Sequence, residues 1–344
     1  MKRIGSRPLF PVVAALALAA ASLSIGCGGS SEPPVTPAPS AAPPAPPPPP
    51  PAPPASSAPV VEKAPEPPPP PPAPVPAVKF TGFATPESVL YDEARDRYLV
   101  SNINGKPVDV DNNGFISELS PDGKVTNLKW IEGGQKKVTL NAPKGLAIVK
   151  DVLYVADLDT VRMFDVKTGA PKGEIKLPGA TFANDVAASE DGAKIYVSDS
   201  GLKMEGGDFK PTGTDAVWVI EKGKAKTFAK GAELTRPNGM LVDGKTVIVV
   251  PFGSNEIYRL DEKGARTDAT KLPKGGFDGI VKVGDSLLVS SWEGSAIFKG
   301  KLGGTFVPVF EQLKAPADIG WDKKRSRVLV PRFLEDVVEA YDVK

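Results

Sequence analysis

The chain has 344 residues, with 42 Lys and Arg against 41 Asp and Glu, for a formal net charge of +1. That balance, with no face of interleaved basic and aromatic residues, argues against nucleic acid as a partner. Histidine is absent and Cys27 is the single cysteine. Ser-His-Asp and Cys-His catalysis, His-bound zinc or haem, and an intramolecular disulfide are therefore excluded.

Residues 1–26 read as a targeting signal. Lys2, Arg3 and Arg7 form a basic start, and PVVAALALAAASLSI follows, too short and too rich in small residues for a comfortable membrane span. Ser24-Ile25-Gly26 ahead of Cys27 resembles the lipobox of bacterial lipoproteins, although leucine is commoner where Ser24 stands. The resemblance implies a lipidated Cys27 at the mature N-terminus and a bacterial cell-envelope location. Gly28 lacks the aspartate associated with inner-membrane retention, which favours the outer membrane or periplasm. An ordinary secretory signal is the alternative reading. Residues 27–78 form a Pro/Ala-rich linker that cannot bury enough apolar surface to fold. As polyproline II at about 3.1 Å per residue it would reach on the order of 130 Å fully extended.

Residues 79–344 contain six copies of one unit. The first two strands of each copy read PESVLYDEARDRYLVSN from Pro86, PKGLAIVKDVLYVAD from Pro143, ANDVAASEDGAKIYVSD from Ala183, PNGMLVDGKTVIVVPF from Pro237, FDGIVKVGDSLLVSSW from Phe277 and PADIGWDKKRSRVLVPR from Pro316. A third strand follows in each: GFISELS, VRMFDV, AVWVIEK, EIYRLD, AIFKGK and VVEAYD. Short β units at a period of about 40 residues predict an all-β, six-bladed propeller. The last copy runs out after its third strand, so VKFTGF around Phe80 is expected to supply the missing outer strand and close the ring.

The innermost strands of a propeller line its axis, so their first residues should ring one mouth. The second position of the six copies reads Glu87, Lys144, Asn184, Asn238, Asp278 and Ala317; the third reads Ser88, Gly145, Asp185, Gly239, Gly279 and Asp318. Glu87 and Asp278 offer carboxylates, and Asn184 and Asn238 amide carbonyls, to a common axis. This is a donor set for Ca²⁺ or another divalent cation, which takes oxygen ligands and would keep positions open for water or substrate. Tight turns also favour any one Asn, Asp or Gly, but not Glu87.

The order Glu, Asn, Asn, Asp in blades one, three, four and five resembles the calcium-ligand order of paraoxonases and diisopropyl fluorophosphatase. All six repeats are similar to the senescence marker protein/gluconolactonase/luciferin-regenerating-enzyme-like family. The resemblance implies a metal role for Glu87, Asn184, Asn238 and Asp278 in hydrolysing lactones, esters or phosphotriesters. Three departures stand out. The histidine dyad of paraoxonases is absent, Lys144 stands where the gluconolactonase relatives place asparagine, and Asn238 replaces an aspartate that has also been assigned as base.

The expected chemistry is metal-assisted hydrolysis of a small-molecule substrate by a monomer. Asp185 is the first choice of base, with Asp318 or Asp278 as alternatives. Lys144 would hold an anionic substrate or an oxyanion, or else pair with Asp185 or Asp157. Asn102, Asp157, Asp199, Trp292, Asp318 and Arg332 are expected around the mouth as substrate pocket. Two long loops, NINGKPVDVDNNG and SGLKMEGGDFKPTGTD, flank blade two as a lid or as plain surface loops. Asp109, Asp111 and Asn113 match the front half of a calcium loop, but Ser120 stands where a closing Glu belongs, so a turn competes with a second, weaker calcium site. A non-catalytic binding or scaffold module on a membrane tether is the alternative function.

Overall fold

The computed structural model describes residues 72–344. The signal at 1–26, Cys27 and the linker up to residue 71 lie outside the described residues.

Each repeat forms a four-stranded antiparallel sheet in simple up-and-down order. The inner strands are Pro86–Asp92, Pro143–Val149, Ala183–Ala188, Pro237–Asp243, Phe277–Val283 and, in blade six, Gly320–Asp322. The second strands are buried on both faces because each blade is sandwiched between two others; Arg97–Asn102 is buried throughout. Six apolar clusters follow, one between each pair of successive blades. Stability is thus spread around a ring of blade–blade interfaces rather than held in one central core.

The ring closes as expected. Val78–Thr81 pairs antiparallel with Val337–Asp342, making a sheet that joins the start of the domain to its end. Phe80 anchors the closure: it is 1% exposed and meets Tyr98 edge-on at 6.1 Å between ring centroids. The Tyr98 hydroxyl donates to Asp322 Oδ2 at 2.6 Å, tying blade one to blade six. Phe80→Ala should destabilise the domain by roughly 3–5 kcal/mol, the cost of emptying a packed aromatic site; urea unfolding measures it, and a loss under about 1 kcal/mol would mean that the closing strand is dispensable.

One irregularity recurs and places the site. The register of the inner strand shifts between its first and fourth residues in blades one to five, so two residues face one on the second strand. Such a bulge re-aims side chains locally. In blades one, three and five a second-strand serine accepts the freed N–H: Ser101 Oγ from Ser88 N at 2.9 Å, Ser198 Oγ from Asp185 N at 2.9 Å, and Ser290 Oγ from Gly279 N at 2.7 Å.

Candidate metal centre

The bulges deliver the second and third positions of the repeats to the axis. Glu87, Lys144, Asn184, Asn238 and Asp278 are all buried, none more than 6% exposed. A Cβ at Gly145 would meet Asp185 Oδ1 at 2.4 Å, and one at Gly279 would meet Ile319 N at 2.2 Å. The third-position glycines therefore clear space for the next blade, and Asp185 and Asp318 sit against that glycine backbone.

The donor set has free valence in the right places. The Asn184 amide nitrogen donates to Ser200 Oγ at 3.0 Å, and that of Asn238 to Phe277 O at 3.3 Å, which leaves each Oδ1 for another partner. Asp278 Oδ2 accepts from Trp292 Nε1 at 2.8 Å, while Asp278 Oδ1 and Glu87 Oε2 are buried with no hydrogen-bond partner at all. An unpartnered buried carboxylate oxygen costs more than any hydrogen bond nearby returns. A cation held by Glu87, Asn184, Asn238 and Asp278 would remove that cost at both residues. The residues present therefore fit a divalent ion. Among the described residues no group of three or more Asp, Glu, Cys or His side chains could hold a metal; the axial set combines two carboxylates with two amides.

Electrostatics describe the same strain. Burial, then the neighbouring Asp278 and Asp318, push the Glu87 carboxyl well above its usual range. Burial pushes Asp278 up to about 7 and Asp185 to about 6, and drives Asp318 well above the carboxylate range. Lys144 is the only cation in the group; burial lowers it to about 8 against the opposing pull of Glu87 and Asp157.

Several expected roles need correction. Asp185 does not present a free oxygen to the mouth. Its Oδ1 accepts from Val186 N and its Oδ2 from Met240 N, both at 2.6 Å. With Ser88 and Asp318 it lines a channel of about 400 Å³ formed by the later halves of the inner strands, and none of the four candidate ligands lines that channel. Asp318 accepts from Ser88 Oγ. Both acids form a second layer beneath the ring, since the third position of the repeat lines the channel in blades one, three and six. Lys144 pairs with neither Asp185 nor Asp157: its Nζ donates to Ala142 O at 2.9 Å and lies 4.5 Å from the centroid of the Phe182 ring.

Of the expected pocket residues, Trp292 alone touches the ring. Asn102, Asp157 and Asp199 are fully buried loop braces. Asn102 Oδ1 accepts from Ala84 N, Asp157 Oδ1 from Asn141 N and Ala142 N, and Asp199 Oδ1 from Phe182 N and Gly201 N. Each closes the turn leading into its own blade. Arg332 is committed to Glu339 and Glu335. In the first long loop Asp111 accepts from Asn113, while Asp109 donates its N–H to Lys106 O; Asn112 ties the loop to Leu140 and Asn141 of the neighbouring turn. The second long loop contains a hairpin, Leu202–Glu205 with Asp208–Pro211, which sets Phe209 edge-on to Phe182, 5.9 Å away, the ring that Lys144 faces. Sequence reasoning missed Phe182, Phe252 and Phe333; the last two occupy the repeat position of Trp292, directly after the second strand, and that shared offset was the available signal.

No family model matches the chain, and no curated protein sequence does. Solved structures share its fold. A gluconolactonase from Xanthomonas campestris aligns at 20% identity and TM-score 0.56, covering 76% of this chain and 86% of that one. Regucalcin from Agrobacterium tumefaciens, described as a calcium-binding protein, aligns at 16% identity and TM-score 0.55, covering 77% and 95%. Virginiamycin B lyase from Staphylococcus aureus, solved with quinupristin, aligns at 14% identity and TM-score 0.51, covering 75% and 95%. At these identities the likeness establishes a shared propeller fold.

Proposed function

We propose that this chain is a calcium-dependent hydrolase of lactones or related esters, held at the bacterial cell envelope through a lipid on Cys27. The observation that carries the reading is the pair of buried, unpartnered carboxylate oxygens on Glu87 and Asp278 beside the free carbonyls of Asn184 and Asn238. A divalent ion bound there would polarise an acyl oxygen and lower the pKa of water. Trp292 fixes one oxygen of Asp278 and so holds the other, the unpartnered one, as a ligand for the ion. Asp185, with both oxygens engaged, positions the bulge of blade three and the start of blade four. Lys144 holds positive charge next to Glu87 and limits the charge that the ion must balance. The likeness to a gluconolactonase and to a calcium-binding regucalcin agrees with this reading.

Lys144 also favours a second reading. A buried amine beside Glu87 is an internal cation, and a ring whose charge is partly balanced that way suits a non-catalytic binding module. One assay separates the two. Purified protein is stripped with chelator and tested on aliphatic and aryl lactones and esters, with and without added calcium. The hydrolase reading expects activity that chelator removes and calcium restores, and a loss of at least about 100-fold in Asp278→Asn. Chelator-insensitive activity, or none across the panel, favours the binding module.

A further inference from the structure

Three aromatic side chains form an apolar patch beside the ring, and Arg236, a cation with no ion-pair partner among the described residues, lies at its edge. Phe252, Trp292 and Phe333 come from blades four, five and six, each directly after its second strand. Trp292 sits between the other two, 5.7 Å from Phe252 at 79° and 5.2 Å from Phe333 at 55°. All three are half-buried, so each keeps surface toward solvent. The Trp292 N–H is already used by Asp278 and the phenylalanines have no polar atoms, so this wall offers nothing to hydroxyl groups.

Arg236 lies two residues before the candidate ligand Asn238. Its guanidinium is 5.8 Å from the centroid of the Phe252 ring, and a Cβ on Gly253 would meet its Nε at 2.6 Å, so the glycine is what lets the side chain cross to the aromatic wall. Every other arginine among the described residues has a carboxylate within ion-pair distance; Arg236 has none. A planar, weakly hydrated cation within cation–π reach of a half-buried ring suits a carboxylate ligand that carries its own ring.

We propose that Arg236 and the wall Phe252–Trp292–Phe333 form a recognition subsite for an aromatic ligand bearing a carboxylate. Resting on the hydrolase reading, this makes the substrate an acid-bearing aryl ester or lactone rather than a polyhydroxylated sugar lactone. The aryl group stacks on the wall, the carboxylate meets Arg236, and the acyl group is left over the ring formed by Glu87, Asn184, Asn238 and Asp278.

The test is binding, not turnover. Naphthalene-2-carboxylate, its neutral alcohol 2-naphthalenemethanol, and gluconate are titrated calorimetrically into the calcium-supplied protein, with circular dichroism confirming that each variant is folded. Naphthalene-2-carboxylate should bind best. Arg236→Ala should weaken it by at least about tenfold and leave the alcohol unchanged, Arg236→Lys should recover part of the loss, and Phe252→Leu should weaken both aromatic probes. No saturable binding of naphthalene-2-carboxylate to the folded wild type, equal affinity in Arg236→Ala, or tighter binding of gluconate would overturn the proposal. If chelator abolishes binding while Arg236→Ala does not, the carboxylate sits on the ring's cation and the assignment to Arg236 is wrong. Tight naphthalene-2-carboxylate binding by a protein that hydrolyses none of the lactones and esters in the panel sinks the hydrolase reading alone. Hydrolysis of sugar lactones without naphthalene-2-carboxylate binding sinks the subsite alone.

Discussion

Calcium at about 1,000 times its dissociation constant should raise the unfolding midpoint of chelator-treated protein by roughly 8–16 °C. An ion that binds only the folded state adds about 4.1 kcal/mol at that ratio, and a domain of this size shifts by about 2–4 °C per kcal/mol. The effect should vanish in Glu87→Gln and in Asp278→Asn. The second variant is the more informative. The amide oxygen introduced by Asp278→Asn would still accept from Trp292 Nε1, so the local bond survives, while the buried negative charge is gone and a neutral amide nitrogen stands where the unpartnered oxygen was. Without calcium, Asp278→Asn should therefore be at least as stable as wild type at neutral pH, yet indifferent to the ion. A variant that is both destabilised and still calcium-responsive would show that Asp278 is a structural residue and not a ligand.

The calcium-free protein should lose stability as pH rises from about 4.5 to about 7. The sign follows from the raised carboxyls. Below the ordinary carboxylate range, folded and unfolded chains both hold these protons. As pH rises, the unfolded chain releases them while folded Asp185, at about 6, and Asp278, at about 7, retain theirs. The folded state then binds more protons, and stability falls until pH passes the folded values. Asp278 alone sets an upper limit of roughly 4 kcal/mol, at about 1.4 kcal/mol per unit; with four acids sharing the site, a loss of a few kcal/mol is expected. Acids held low by partners, such as Asp96 beside Arg325 and Lys324 or Asp243 beside Lys282 and Arg259, act oppositely, with their stabilisation lost only as pH falls below the usual carboxylate range. The window above 4.5 thus reports chiefly on the axial acids, with a contribution of the same sign from Asp199, which burial also raises. Urea midpoints measured in chelator should decline across it, and saturating calcium, by favouring the ionised acids, should abolish or reverse the decline. A chelator-treated protein that gains stability steadily from pH 5 to 7.5 would contradict the assigned clustering of Glu87, Asp185, Asp278 and Asp318.

The architecture was legible in the sequence because it is written six times. Apolar strands such as YLVSN, LYVAD and IYVSD recur at a similar offset from a Pro-, Ala- or Phe-led inner strand, and the truncated last copy forecast the closing partner that Val78–Thr81 supplies. Repeat alignment also gave Glu87, Asn184, Asn238 and Asp278 one shared position at the start of their inner strands. Side-chain direction is another matter. The third position of the repeat lines the channel and the second does not, which is why Asp185 and Asp318 form a layer of their own. Nothing in a one-dimensional pattern says that Asp157 and Asp199 will spend their oxygens on the N–H groups of their own turns, or that Lys144 will reach back two residues to Ala142 O. Those outcomes depend on how tightly each loop folds over its blade. Trp292 was legible as a mouth residue, but its N–H bond to Asp278 required the chain to be folded.

The most direct test is a crystal structure of the domain grown with calcium. The account predicts an ion on the propeller axis with oxygen ligands from Glu87, Asn184, Asn238 and Asp278 at about 2.3–2.6 Å and water completing its shell. A calcium-soaked crystal with no ion at that point, and with the Lys144 amine turned inward between Glu87 and Asp278, would contradict it.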